Sequence, residues 1–284
     1  MDSRQLRQSL WFSIFGLLTL AVVAAIVVIF YRIGRDGLGV ISWEFLTKPP
    51  RRNMTEGGIM PAIVGTFYVS VLTLVISVPV GMAGAIYLHE YAGQSWLVRV
   101  IKLSIRNLSG VPSIVYGLFG LGLFAATFKL GTSLLTSALT LALMSLPWVI
   151  TASEEALKAV PNGFREASFG LGATRWQTIS RVVLPNAVPG MATGAILALA
   201  RAAGETAPIL LTGAAFFLPR LPRSPGDRFM ALPYHLYILA TQHTQIETVR
   251  PLAYGTALVL IAMVMLLNLV AIIWRYRIRK NRLW

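Results

Sequence analysis

The 284 residues are 56% hydrophobic and only 13% charged, with no cysteine and a formal net charge of +14. An ordinary soluble domain carries roughly 25% charged residues. A soluble enzyme, a disordered chain and a disulfide scaffold are therefore excluded, and an integral membrane protein remains.

Roughly 20 apolar residues cross the hydrocarbon core, so charge-free runs mark the expected spans. Leu10 to Tyr31 is the first. It exceeds the roughly 7–15 apolar residues of a signal peptide and is expected to stay as helix one. Gly57 to Leu88 supplies a tilted second helix plus a loop piece. Asn107 to Phe128 and Leu130 to Ser153, separated by Lys129, form a tight hairpin of helices three and four. Asn186 to Leu218 is the fifth, broken by Arg201 and Glu205, and Pro251 to Trp274 is the sixth. The fold class is thus an all-α integral membrane protein of six transmembrane helices. Residues 1–60 hold the first helix and an external arm, 61–275 the core, and 276–284 a basic tail with Arg277, Arg279, Lys280 and Arg282. With both termini cytoplasmic, the inner segments hold 14 Lys and Arg and the outer ones 10. That bias has the sign of the positive-inside rule.

Covalent chemistry finds no support. None of the five lysines follows a glycine, so a G-K-[ST] nucleotide loop cannot occur. His89, His235 and His243 are scattered and no cysteine accompanies them, so no zinc cluster is expected. The chain is expected to hydrolyse nothing and to hold no cofactor or metal; energy for uphill movement must come from another subunit.

The longest inner loop, 151–185, reads as two short amphipathic helices. The first spans Ser153 to Ala159 and ends before Pro161-Asn162-Gly163. The second begins near Phe164; after Gly172, residues Trp176, Ile179, Val182 and Val183 recur on one face. Leu184-Pro185 closes the loop before the fifth span. Glu166-Ala167-Ser168, three residues, Gly172, nine residues and Val182-Val183-Leu184-Pro185 closely resemble the EAA loop of ABC-importer permeases. Ser168 replaces the family's second alanine and Val182 its isoleucine. The resemblance implies a coupling helix that docks in a groove of a cytoplasmic ATPase subunit. Small Ala167 and Ser168 would allow close approach, and Gly172 a sharp turn. Arg165 and Glu166 stand either to pair across that interface or to cap locally.

Arg201 lies 15 residues after Asn186, about 22 Å into the fifth helix at 1.5 Å per residue. A charge at the span centre costs about 2.5–3.5 kcal/mol on insertion scales. Glu205, four residues on, shares its helical face and can neutralise it. An apolar pair would usually be cheaper, so the two charges point to a polar pathway. A guanidinium fork suits a tetrahedral oxyanion.

Ala200-Arg-Ala-Ala-Gly-Glu-Thr-Ala-Pro208, Asn53-Met-Thr-Glu-Gly-Gly58, Tyr87-Leu-His-Glu-Tyr91 and Val111-Pro-Ser-Ile-Val-Tyr-Gly-Leu-Phe119 resemble the signatures of the PstA family, the permeases of phosphate ABC importers. The resemblance implies a bacterial inner-membrane subunit paired with a second permease, PstC. It also implies two copies of the ATPase PstB, which bind ATP and magnesium, and an external phosphate-binding protein, PstS. Arg201, Glu205 and Thr206 would then mark the translocation path. Arg165, Glu166, Ala167, Ser168, Gly172, Leu184 and Pro185 would mark the ATPase-coupling loop. A permease for sulfate or molybdate, or an ion channel, is the alternative. The outer loop 214–250 holds a possible amphipathic helix from Arg228 to Gln245, suited to the outer leaflet or to a docking surface.

Overall fold

The structure, a computed structural model, describes residues 3–93 and 95–280. Arg282 of the basic tail lies outside the described residues. Helix α1 (Ser3–Leu38) runs seven residues past Tyr31, through Arg32, Arg35 and Asp36. Its apolar side chains face outward along its length, as a lipid-facing helix requires. An arm follows: the short helix α2 (Trp43–Thr47), capped by Ser42, then a hairpin of β1 (Pro50–Arg51) with β2 (Glu56–Gly57). The hairpin turn holds Arg52, Asn53 and Met54 all in the left-handed region, at φ 45°, 53° and 70°.

Helix α3 (Met60–Ile86) continues as a wide π turn over Tyr87–Tyr91. Thr66, Ser70 and Thr73 each donate their hydroxyl to the carbonyl four residues back. Those bonds let the hydroxyls lie buried in an apolar interface. Helix α4 (Trp96–Leu108) is amphipathic and buries none of its residues. The chain then bends by 106° into α5 (Ser113–Gly120) and a π segment, Leu121–Thr127. The expected third helix from Asn107 is therefore corrected to a broken pair, with the apolar half beginning at Ser113. Pro112 has no N–H and drives Val111 out of helical geometry. The Tyr116 hydroxyl donates to the Leu108 carbonyl across the bend, 2.8 Å.

Helix α6 (Leu134–Lys158) starts on a Ser133 cap and absorbs the predicted Ser153–Ala159 helix as its last turns. The outer loop completes that cap, because Leu134 and Leu135 donate their N–H groups to the carbonyls of Asp227 and Pro225. After α7 (Asn162–Gly170), α8 (Arg175–Thr178) opens on a Thr174–Gln177 capping box. It runs without a break, through a π turn at Ile179–Val183, into α9 (Leu184–Gly204). The fifth span thus begins at Arg175, and Leu184-Pro185 lie within it rather than at its edge. The π turn absorbs the N–H that Pro185 lacks, and Asn186 Nδ2 donates to the Val182 carbonyl at 2.7 Å.

A short α10 (Ala207–Thr212) leads to the outer segment, then α11 (Leu232–Thr241) and α12 (Ile246–Lys280). The predicted amphipathic helix over 228–245 is real but shorter. Its Leu232, His235, Ile238 and Leu239 are buried, Leu232 packing with Phe45 and Ile59 and the Ile238–Leu239 pair with Met54 and with Val249 of α12. Among the described residues five helices are long and apolar enough to cross a membrane; the bent α4–α5 pair makes the sixth. Helices α3, α6 and α9 form the central core. They approach closely where Gly81 faces Val149, since a Cβ there would stand 2.6 Å from the Val149 Cγ1.

Candidate functional site

Arg201 occupies the last turn of α9, and the helix ends at Gly204. Glu205 has an extended backbone (φ −75°, ψ 134°), so it does not share a helical face with Arg201 as its spacing suggested. The pair forms all the same, Nε to Oε1 at 3.2 Å, because the chain turns back at the break between α9 and α10. One face of the guanidinium lies over the Trp148 ring, 5.5 Å from its centroid. Depth follows from that neighbour rather than from the start of α9. Trp148 stands ten residues from Lys158 and fourteen from Leu134 in α6, about 15 and 21 Å at 1.5 Å per residue. Arg201 is therefore level with the middle of a span, with its side chain still 39% exposed. Thr206 follows in the break and precedes α10, whose Leu210 N–H bonds the Thr206 carbonyl.

The coupling-loop residues divide into an outward and an inward set. Glu166 and Ala167 are exposed on α7, beside Phe169 and Leu171, the latter 90% exposed. Ser168 instead points inward, its Oγ 2.9 Å from the Thr178 hydroxyl. Gly172 turns the chain at φ 79°, the left-handed value a glycine supplies without strain. Leu184 packs in the inner core with Leu157, Val183 and Ala187.

Arg165 also points inward. Its Nη2 pairs with Glu90 Oε1 at 2.7 Å and donates to the Leu157 carbonyl at 3.1 Å; its Nη1 donates to the Val160 carbonyl at 2.8 Å. It adds a cap to the end of α6 by donating to the carbonyls of Leu157 and Val160, the first of which also accepts the Val160 N–H. Of its two expected roles the structure displays the local cap, together with a carboxylate partner, Glu90, 75 residues away. Trp148 and Glu90 escaped the sequence reading as site residues. Only Glu90 left a signal there, as a charge at the inner end of a span within Tyr87–Tyr91.

Residues 77–282 match the family of binding-protein-dependent transport system inner membrane components. The chain belongs to that family. It is 33% identical over 281 residues to a probable ABC transporter permease protein, YqgI, of Bacillus subtilis, covering 95% of each chain. It is 38% identical over 226 residues to a phosphate transport system permease protein, PstA 1, of Mycobacterium tuberculosis, covering 80% of this chain and 73% of that one. Among solved structures, a bacterial alginate ABC transporter superposes with a TM-score of 0.66 over 92% of each chain at 13% identity. That likeness speaks to the fold, the helical arrangement of an ABC-importer permease. The family match covers both the Arg201 site and the coupling loop, and the permease is accordingly a component of a transport system.

Proposed function

We propose that this chain is the PstA-type permease of an importer that moves inorganic phosphate across the bacterial inner membrane. ATP and magnesium are bound by a partner ATPase. The observation that carries the reading is Arg201: a part-exposed guanidinium at mid-span, stacked on Trp148 and held by a single carboxylate. The 38% identity to a phosphate permease supports phosphate as the anion.

A phosphate dianion approaching Arg201 offers bidentate hydrogen bonds that one carboxylate oxygen does not match. Glu205, on extended backbone outside the helix and with its side chain 17% exposed, moves aside for the anion in this reading and returns when the anion leaves. Competition between the two anions keeps affinity low enough for release. Trp148 fixes the guanidinium plane meanwhile, so the exposed edge keeps its aim. Thr206 lines the break beside them.

The complex pairs this subunit with PstC, two copies of PstB and the external PstS, with both termini of this chain inside. Exposed Glu166, Ala167, Phe169 and Leu171 form the face that enters the ATPase groove. Arg165, Ser168, Gly172, Leu184 and Pro185 shape that loop from behind. The test is uptake of radiolabelled phosphate by liposomes holding the four-component complex. Arg201→Ala should abolish uptake, and Arg201→Lys should lower it, with the ATPase still bound. Unchanged uptake by the alanine variant would leave the Arg201–Glu205 pair a structural element. Uptake of sulfate or molybdate in place of phosphate would reassign the substrate.

A further inference from the structure

The inner end of α3 is gripped from two sides by the hairpin that carries the coupling helix. Arg165, on α7, holds the Glu90 carboxylate at 2.7 Å, and both side chains are at least 86% buried, being 14% and 10% exposed. Arg175, at the start of the fifth span, donates through Nη2 to the Glu90 carbonyl, and its guanidinium lies 5.1 Å from the Tyr91 ring centroid. His89 Nε2 stands 3.9 Å from the same carboxylate oxygen. Thus Arg165 and Arg175, which bracket the coupling turn, converge on one residue of the π turn that ends the second span.

We infer that Glu90 is a positioning residue that makes the second span follow the coupling helix. The inference rests on the importer reading above. Directly beneath the clasp, Ala85 of α3 packs with Leu157 of α6 and Ala187 and Met191 of α9, so the grip is seated in the core rather than on a loose loop. The other end of the rod is also tied. Thr66 Oγ1, near the outer end of α3, accepts the Leu232 N–H at 2.8 Å in the outer segment. A displacement of α7 therefore pulls on a helix whose far end carries the outer face, and the pull passes through one residue, Glu90, by its carboxylate and its carbonyl. A π turn suits such a joint, because its wider ring turns the Glu90 carboxylate and carbonyl toward different partners. The clasp is a discrete, breakable contact, so the coupling assigned to it is measured by breaking it.

Glu90→Gln tests it in the liposome-embedded four-component complex, with uptake and ATP hydrolysis measured together. The amide keeps the shape and an acceptor oxygen but removes the charge. Co-purification of the ATPase subunit should be unchanged and hydrolysis should stay within about twofold. Phosphate moved per ATP hydrolysed should fall about tenfold, the scale of an ordinary coupling energy. Arg175→Gln, at an exposed position, should lower the same ratio less and serves if Glu90→Gln fails to assemble. Glu90→Asp should restore part of it. An unchanged ratio in Glu90→Gln, or in Arg175→Gln where the first variant does not assemble, overturns the inference. A lowered yield of ATPase-bound complex with the ratio intact in the complex that does form overturns it too, since Glu90 would then only shape the docking face. If the unmutated complex moves another oxyanion instead, the ratio is read on that ion, so the substrate reading and the clasp fail separately.

Discussion

Two arginines in this chain stand close in sequence to a glutamate, and tertiary structure treats them oppositely. Arg201 pairs with its neighbour Glu205 through one contact at 3.2 Å, with 39% of its side chain exposed. Arg165 ignores its neighbour Glu166 and is buried against Glu90 at 2.7 Å, with two carbonyls completing its donors. A buried pair whose remaining donors are satisfied is fixed, since removing one partner strands a charge. A single, partly wetted pair is exchangeable, since water or an incoming anion replaces the lost contact. The first arrangement suits a joint and the second suits a site that ions pass.

The comparison is broken hardest at the buried pair. Arg165→Ala should destabilise the detergent-solubilised protein by about 3 kcal/mol or more, because it strands the Glu90 charge and uncaps α6. Denaturant unfolding measures it, and a loss below about 1 kcal/mol would place this pair with the exchangeable one. Glu90→Gln should be milder, because the charge leaves with the substitution.

His235 offers the third way to bury an ionisable group, by holding it neutral. Burial, with His243 nearby adding to the effect, lowers its pKa from 6.5 to about 4. The unfolded chain takes up this proton near pH 6.5 and the folded chain only near pH 4. Stability from this group is therefore whole above pH 6.5 and is lost as the pH falls toward 4, by about 3 kcal/mol in all. Unfolding measured across that window should show the slope, and His235→Leu should flatten it.

Smaller effects belong to the exchangeable pair. Glu205→Gln should change unfolding stability by less than about 1 kcal/mol while altering phosphate uptake. A loss as large as that of Arg165→Ala would make the pair structural. Trp148→Leu, by removing the ring beneath the guanidinium, should cost about 0.5–1 kcal/mol and raise the concentration of phosphate needed for half-maximal uptake.

How far the sequence was legible depended on how local the physics was. The coupling helix begins at Asn162 behind Pro161, where the breaker stood, and Gly172 turns the chain as its missing Cβ allows. The spans themselves followed from hydropathy. The start of the fifth did not: residues 175–183 carry Arg175 and Arg181 and read as an amphipathic helix separate from the span, and Leu184-Pro185 reads as the boundary between them. Only a π turn and the Asn186 amide let the helix pass that proline. The depth of Arg201 was inferred from that mistaken start, yet its level against Trp148 keeps it at mid-span.

By itself the sequence determined a polytopic helical membrane protein, the loop between its fourth and fifth spans and the pairing of Arg201 with Glu205 at the end of α9. Each of these rests on hydrophobic transfer and short-range chain geometry, which a run of a few residues fixes. Tertiary structure alone decided that Arg165 answers Glu90, that α11 buries Leu232, His235, Ile238 and Leu239, and that Trp148 backs Arg201. Those pairings join residues tens of positions apart, and only the packing of α3, α6 and α9 brings them within hydrogen-bond or van der Waals range.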